Sequence, residues 1–259
     1  MALEQLITAL ERAHVLDAAL AAADRDADFS LVEGMRVPLL AALLRRRGPA
    51  SALLAITATS REAQAVRDAL RCYLPDSTVL ELPAWETLPH ERLSPSAETV
   101  GRRLHALRAA RLWDRRTPFV LVASVRAALQ PLAPGLAELE PIVLERGGRG
   151  YDLAALAQRL VAAAYTRVDL VTRRGEFAVR GGILDVFPPA ADHPLRAEFF
   201  GDELEQLRAF SVADQRSLVE GPENGEVRRA ELGPARELLL TDVVRQRAAE
   251  MEPEFPTLQ

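Results

Sequence analysis

Three short runs constrain this chain more than any other feature. ALLAIT (52–57), TVLEL (78–82) and PFVLVAS (118–124) are apolar almost throughout, and helical patterns separate them. Strands without polar alternation have no face to give to water, so they belong in a parallel sheet covered on both sides. Between the first two, ATSREAQAVRDALRCYL carries a capping box, Thr59 with Glu62, and an apolar stripe of Ala63, Val66 and Leu70. Between the second and third, Ser94 with Pro95 is expected to open a helix whose core face holds Val100, Leu104 and Leu107. A helix over residues 1–23, with Leu3, Leu6, Ile7 and Leu10 on one face, and another over 35–47 are expected to pack on this layer.

Near residue 135 the pattern changes. QPLAPGLAELEP holds prolines and a glycine that mark a boundary. After it come one strand, PIVLE, and one helix, DLAALAQRLVAAAY, capped by Asp152. The chain then reads as nearly all strand: VDLVTR, EFAVR, ILDVFP, LRAEFF and LEQLRAFSV. Connections as short as RG and GDE imply antiparallel hairpins. The fold class is therefore α/β, a parallel-sheet domain over 1–135 followed by a smaller α+β domain over 136–222. The stretch EGPENGEVRRAELGPA reads as loop, within a last segment of 223–259.

Composition narrows the function. All basic residues are arginine, so chemistry that needs a lysine, a Schiff base or a phosphate-gripping P-loop, is excluded. No apolar run approaches the roughly 20 residues of a membrane span, so a soluble chain with no membrane partner is expected. A single cysteine, Cys72, excludes a disulfide framework, suits a cytoplasmic location and is expected to be a packed helical thiol. The net charge of −5 argues against a dedicated nucleic-acid site. Of the arginine clusters LLRRRG, GRRLHALRAARLWDRR and TRRGEF, the middle one lies on a helix and is expected to line its solvated face.

Catalytic groups are hard to assemble from the rest. Ahead of the helix at 35–47, SLVEGMRVPLL offers one glycine, Gly34, and neither the Lys nor the Ser/Thr of a nucleotide loop. The glycines of RGGRGYD lack a strand-turn-helix context. His14, His90, His105 and His193 are scattered without metal-ligand spacing, and His90 beside Glu91 reads as a solvated pair. No catalytic residue and no metal or cofactor site is expected in this segment. Asp185, which interrupts the apolar run ILDVF, reads as the partner of a neighbouring arginine.

Three stretches carry a specific resemblance. LPAWETLPHERLSPSAETVGRRLHALR resembles the N-terminal region of the bacterial transcription-repair coupling factor (Mfd) family. GEFAVRGGILDVFPP resembles a signature that this family shares with the excision-repair protein UvrB, and LRAEFFGDELEQLRAFSVADQRSL continues it. The resemblance, over about residues 50–245, implies a degenerate, ATPase-dead helicase-like first domain, then a UvrB-like domain that binds UvrA. It implies that 223–259 begins a return to the first domain. It also implies RNA polymerase and DNA as partners of downstream regions, with ATP and Mg serving a downstream motor. Family contact positions map to Arg180, Arg196 and Phe200, two planar donors around an apolar anchor. Gly181 and Gly182 would supply the tight reversal beside Arg180. The alternative is a UvrB-type excision-repair ATPase or helicase fragment.

Overall fold

A computed structural model describes residues 3–88, 91, 93–218 and 225–251. His90 lies outside them. Two compact units emerge, residues 1–85 with 106–132, and residues 86–105 with 133–259.

The first unit is built on a three-stranded parallel sheet of order β1-β3-β2: β1 (Ala52–Thr57), β2 (Thr78–Leu82) and β3 (Phe119–Ser124). The chain enters it through helices α1 (Glu4–Arg12), α2 (Asp17–Ala22) and α3 (Arg36–Arg47), and α4 (Ser60–Tyr73) links β1 to β2. One face of the sheet, including Ala55, Val79, Val120 and Val122, packs on Leu39, Leu44, Ala63 and Leu70 of α3 and α4. On the other face Leu82 and Ala123 meet Ala106 and Ala127. α4 opens as its sequence requires, with Thr59 and Glu62 bonding each other's backbone N–H groups.

Several expectations for this unit need correction. The single N-terminal helix is two, interrupted where His14 takes a φ of +56°; Ile7 is buried but Leu6 is exposed. ALLAIT is an edge strand, not a buried one. Leu54 and Ile56 point away from the α3–α4 side and are 58% and 54% exposed, so the sheet is not covered on both faces along β1. Cys72 is exposed on α4, not packed. Arg46 and Arg47 donate to the carbonyls of Leu20 and Ala23 and satisfy the open C-terminus of α2.

The second unit holds the start of helix α5 (Ala97–Arg111), whose later residues belong to the first unit. Its N-terminal hydroxyl comes from Ser96, which accepts from the Thr99 N–H at 3.2 Å, rather than from Ser94. Glu86 braces this end, accepting from Ser96 Oγ at 2.6 Å and from the Thr99 hydroxyl. Burial would raise the Glu86 pKa, but the hydrogen bonds from Ser96 and Thr99 win and hold it below its usual value. Arg103, expected on a solvated face, is fully buried and meets the Glu237 carboxylate at 2.6 Å.

Among the described residues the second unit also holds a five-stranded sheet and a two-stranded ladder. β4 (Ile142–Glu145) pairs antiparallel with β10 (Arg229–Leu232), a strand inside the stretch that reads as loop. The larger sheet runs β5-β6-β7-β8-β9: β5 (Thr166–Arg167), β6 (Glu176–Arg180), β7 (Ile183–Val186), β8 (Leu195–Phe200) and β9 (Glu203–Ala209). All neighbours are antiparallel except β5 and β6. VDLVTR is not a strand, and RG closes no antiparallel hairpin before β6. The Glu176 carboxylate captures the Thr172 and Arg173 N–H groups, each at 2.8 Å, and turns the chain there. Helix α7 (Leu153–Ala162), counted after the short α6 (Val125–Leu129), is capped by Asp152. Its Leu156 and Leu160 share a core with Phe177, Leu184, Val186, Ala197 and Leu207. Tyr165 donates its hydroxyl to the Gly233 carbonyl at 2.8 Å, and burial pushes its pKa up, so it stays a neutral donor.

Gly101 gives this packing a sharp test. A Cβ there would lie 2.7 Å from the Pro189 carbonyl carbon and 2.8 Å from the Ala190 nitrogen, both backbone atoms that cannot swing away. In a free helix, Gly→Ala would stabilise by about 1 kcal/mol. Here we expect Gly101→Ala to destabilise by about 1–3 kcal/mol, because the close approach is lost. A rise in urea midpoint for this variant would show that the α5 contact is not as described.

Candidate docking face of the five-stranded sheet

Two tight turns and the pleat create one chemically distinct face. Arg180 pairs with Ile183 across the two-residue turn Gly181-Gly182, and Phe200 pairs with Glu203 across Gly201-Asp202. Because side chains alternate along a strand, every position two residues from Arg196 shares its side. Glu198 and Phe200 therefore lie with Arg196, while Leu195, Ala197 and Phe199 face the core. Across the strands the register sets Ala178, Asp185, Arg196 and Arg208 in one row. Arg180, Ile183, Glu198 and Gln206 form the next. The turns hold the Arg180 and Phe200 ends at the same margin of the sheet.

The register shifts between Glu198 and Phe199, where β9 carries one extra residue. Phe199 packs edge-on against Tyr151, with ring centroids 5.5 Å apart. Phe200 is left on the opposite side, 76% exposed and outside every core cluster.

Asp185 organises the charges. Its residue is 3% exposed, and it accepts from Arg196 Nε at 2.7 Å and Arg196 Nη2 at 2.8 Å, a bidentate pair. Arg208, of like charge, stands directly opposite Arg196 but turns towards Glu226. The Arg196 guanidinium also lies over the Phe210 ring at 4.9 Å, in a small cluster with Val171, Ala178 and Phe187. Hydrogen bonding to Asp185 raises the Arg196 pKa against the opposing effect of burial, and the charges of Asp185 and Glu198 add to it. Arg180 is different. It approaches Asp185 only to 3.9 Å and its side chain is 58% exposed, leaving its donors open to solvent.

The structure thus brings Arg180, Arg196 and Phe200 onto one face, with Asp185 paired to Arg196 as its lone acidic position in the strand suggests. Ile183, 37% exposed between Arg180 and Glu198, belongs to the same face and is not singled out by sequence. Counting from the GG turn would have found it, since a two-residue hairpin forces Arg180 and Ile183 opposite each other. In the third arginine cluster Arg173 is exposed and Arg174 half-buried. Arg174 donates to the Ala191 carbonyl at 3.0 Å and pairs with Glu98. Among the described residues no group of three or more His, Cys, Asp or Glu could hold a metal ion. No helix among them is long and apolar enough to cross a membrane.

Residues 142–237, which contain this face, match the family model of the UvrB interaction domain. The transcription-repair-coupling factor of Mycobacterium bovis is 50% identical over 225 residues, 85% of this chain and 18% of the relative. This chain is a homologue of the transcription-repair-coupling factors. The Bacillus subtilis factor is 34% identical over 195 residues, 75% of this chain and 16% of the relative. That of Escherichia coli is 36% identical over 146 residues, 56% of this chain and 12% of the relative. The chain therefore spans less than a fifth of the length of these coupling factors.

The turn of the UvrB interaction domain can be tested at its two glycines. Gly181 has a φ of +58° with open space around it, so Gly181→Ala should cost about 1–2 kcal/mol by backbone strain. Asn, which tolerates positive φ, should recover part of that loss. A Cβ on Gly182 would stand 2.8 Å from the Phe199 carbonyl oxygen, so Gly182→Ala should cost about 1–3 kcal/mol by displacing β8. Urea unfolding of the three variants checks this; unchanged midpoints would mean that the turn is not formed as described.

Proposed function

We propose that this chain is the UvrA-recruiting module of a transcription-repair coupling factor, and that Arg180, Arg196 and Phe200 contact UvrA. The observation that carries this reading is Phe200, bare beside an outward arginine at the margin of a sheet that belongs to a UvrB interaction domain. An exposed aromatic rimmed by arginines has the composition of a binding hot spot. Acidic groups on UvrA would meet the guanidinium donors while an apolar socket takes the ring. In this reading the assembled coupling factor displaces stalled RNA polymerase at lesions. DNA, RNA polymerase, ATP and Mg would then engage regions of such factors outside the part that this chain spans.

The first unit serves, in the same reading, as a degenerate helicase-like domain that does not turn over ATP. Its first strand-to-helix connection is only Ala58-Thr59, with neither glycine nor lysine. The N–H groups of Thr59 and Glu62 that open α4 are already bonded within the capping box. That arrangement leaves less for a phosphate than a glycine-rich loop would.

Interferometry of the 259-residue chain against UvrA tests the reading. Phe200→Ala should weaken binding about 30-fold, as for a hot-spot aromatic of about 2 kcal/mol. The ring lies outside the core, so the variant should keep the wild-type melting temperature. Arg180→Ala should weaken binding about 10-fold. Arg196→Glu is a poorer probe, since it sets a second carboxylate against Asp185; Arg196→Lys keeps the charge and removes the fork. Folded Phe200→Ala and Arg180→Ala chains that bind as tightly as wild type would defeat the site assignment.

A further inference from the structure

We propose that Asp185 is a positioning residue of this face: it fixes Arg196 flat on the sheet and leaves Arg180 as the outward, fully available donor. The inference rests on the docking reading above and divides its two arginines into unequal roles. Asp185 itself is too deeply placed to meet a partner, at 3% exposure. It consumes Nε and one Nη of Arg196 at 2.7 and 2.8 Å, the edge of the guanidinium with which arginine grips a carboxylate bidentately. The Phe210 ring beneath, at 4.9 Å, fixes the plane. The Nη1 of Arg196 reaches the Gln215 carbonyl only at 3.4 Å, beyond a normal N–H···O distance, and is the donor that can be re-aimed.

Arg180 meets Asp185 at 3.9 Å, by charge and not by a fork. Its side chain is 58% exposed, so its guanidinium can turn to a partner. The partner this arrangement fits presents a carboxylate opposite Arg180, a single acceptor above Arg196 and an apolar socket for Phe200. The charge on Asp185 has a second effect. It neutralises Arg196, which otherwise faces Arg208 across β8 and β9 at a directly opposed position. Without the carboxylate, Arg196 would swing outward from its like-charged neighbour, and the spacing of donors around Phe200 would be lost.

Two measurements on the 259-residue chain test this. The first needs no partner: nitrogen-15 NMR of arginine side chains should show the Arg196 Nε–H exchanging slowly with water in wild type. In Asp185→Asn it should exchange rapidly, while the Arg180 signal is fast in both. An Arg196 Nε–H that exchanges as fast as exposed arginines in wild type overturns the inference. The second is UvrA binding in a double-mutant cycle. Asp185→Asn should weaken binding about ten-fold in the wild-type background and have little further effect when Arg196 is already alanine. Equal effects in both backgrounds, or none in a folded Asp185→Asn chain, overturn it. If the wild-type chain does not bind UvrA at all, the docking reading fails, and the NMR result alone decides whether Asp185 pins Arg196.

Discussion

The period-two alternation of β6 to β9 is the constraint on which the rest of the second unit depends. Phe177, Leu184, Ala197 and Leu207 face α7 because burying them removes apolar surface from water. Their intervening neighbours must then face the other way. A one-residue slip of β8 would carry Arg196 into the core and Ala197 out of it. The same burial that stabilises the sheet therefore fixes which side Arg180, Asp185, Arg196 and Phe200 occupy. The charged face has no separate scaffold; the core on the reverse side sets its register.

Arginine shapes the electrostatics in a second way. A chain whose basic groups are all guanidinium can place them in planar, multiply bonded settings that an ammonium fits poorly. Arg46 and Arg47 bond to helix-terminal carbonyls, Arg103 is buried against Glu237, and Arg174 joins Glu98 and the Phe187 ring. Arg196 uses its fork on Asp185. Arginines that stand together in one line of sequence thus reach different partners in the fold, Arg103 buried and Arg46 and Arg47 exposed. Arg180 stands apart because it ends its strand, beyond the reach of a full ion pair.

The parts legible in the sequence were those where local chemistry and burial agree. The Thr59–Glu62 box, the Asp152 cap, the parallel β1-β3-β2 layer and the hairpin at Gly181-Gly182 all follow from spacing and turn chemistry. Misreadings came where a side chain overrode the backbone preference. VDLVTR has strand composition, but Glu176 gathers the Thr172 and Arg173 N–H groups before a ladder can form. RRAEL looks like loop beside Gly and Pro, yet it pairs with β4 through contacts made roughly 85 residues away in sequence, which no local pattern announces. Arg103 lies two residues from Gly101 on a helix rich in arginine, and its burial goes with a tertiary partner, Glu237, that no local pattern announces.

In the docking proposed for this face, rigidity counts as much as composition. A single exposed aromatic is ordinary on protein surfaces and by itself implies nothing. Phe200 differs because the register shift, the packing of Phe199 on Tyr151 and the two-residue turn beyond it set the course of its backbone. Arg196 is fixed by a carboxylate and a ring, and Ile183 by its place opposite Arg180. Association loses affinity for each side chain and loop that must be ordered. A surface whose anchor is held by strand geometry, and one of whose donors is held by a buried acid, has met much of that cost during folding. In the docking proposed here, a few residues on such a surface suffice: one phenylalanine and two unequal arginines at a sheet margin.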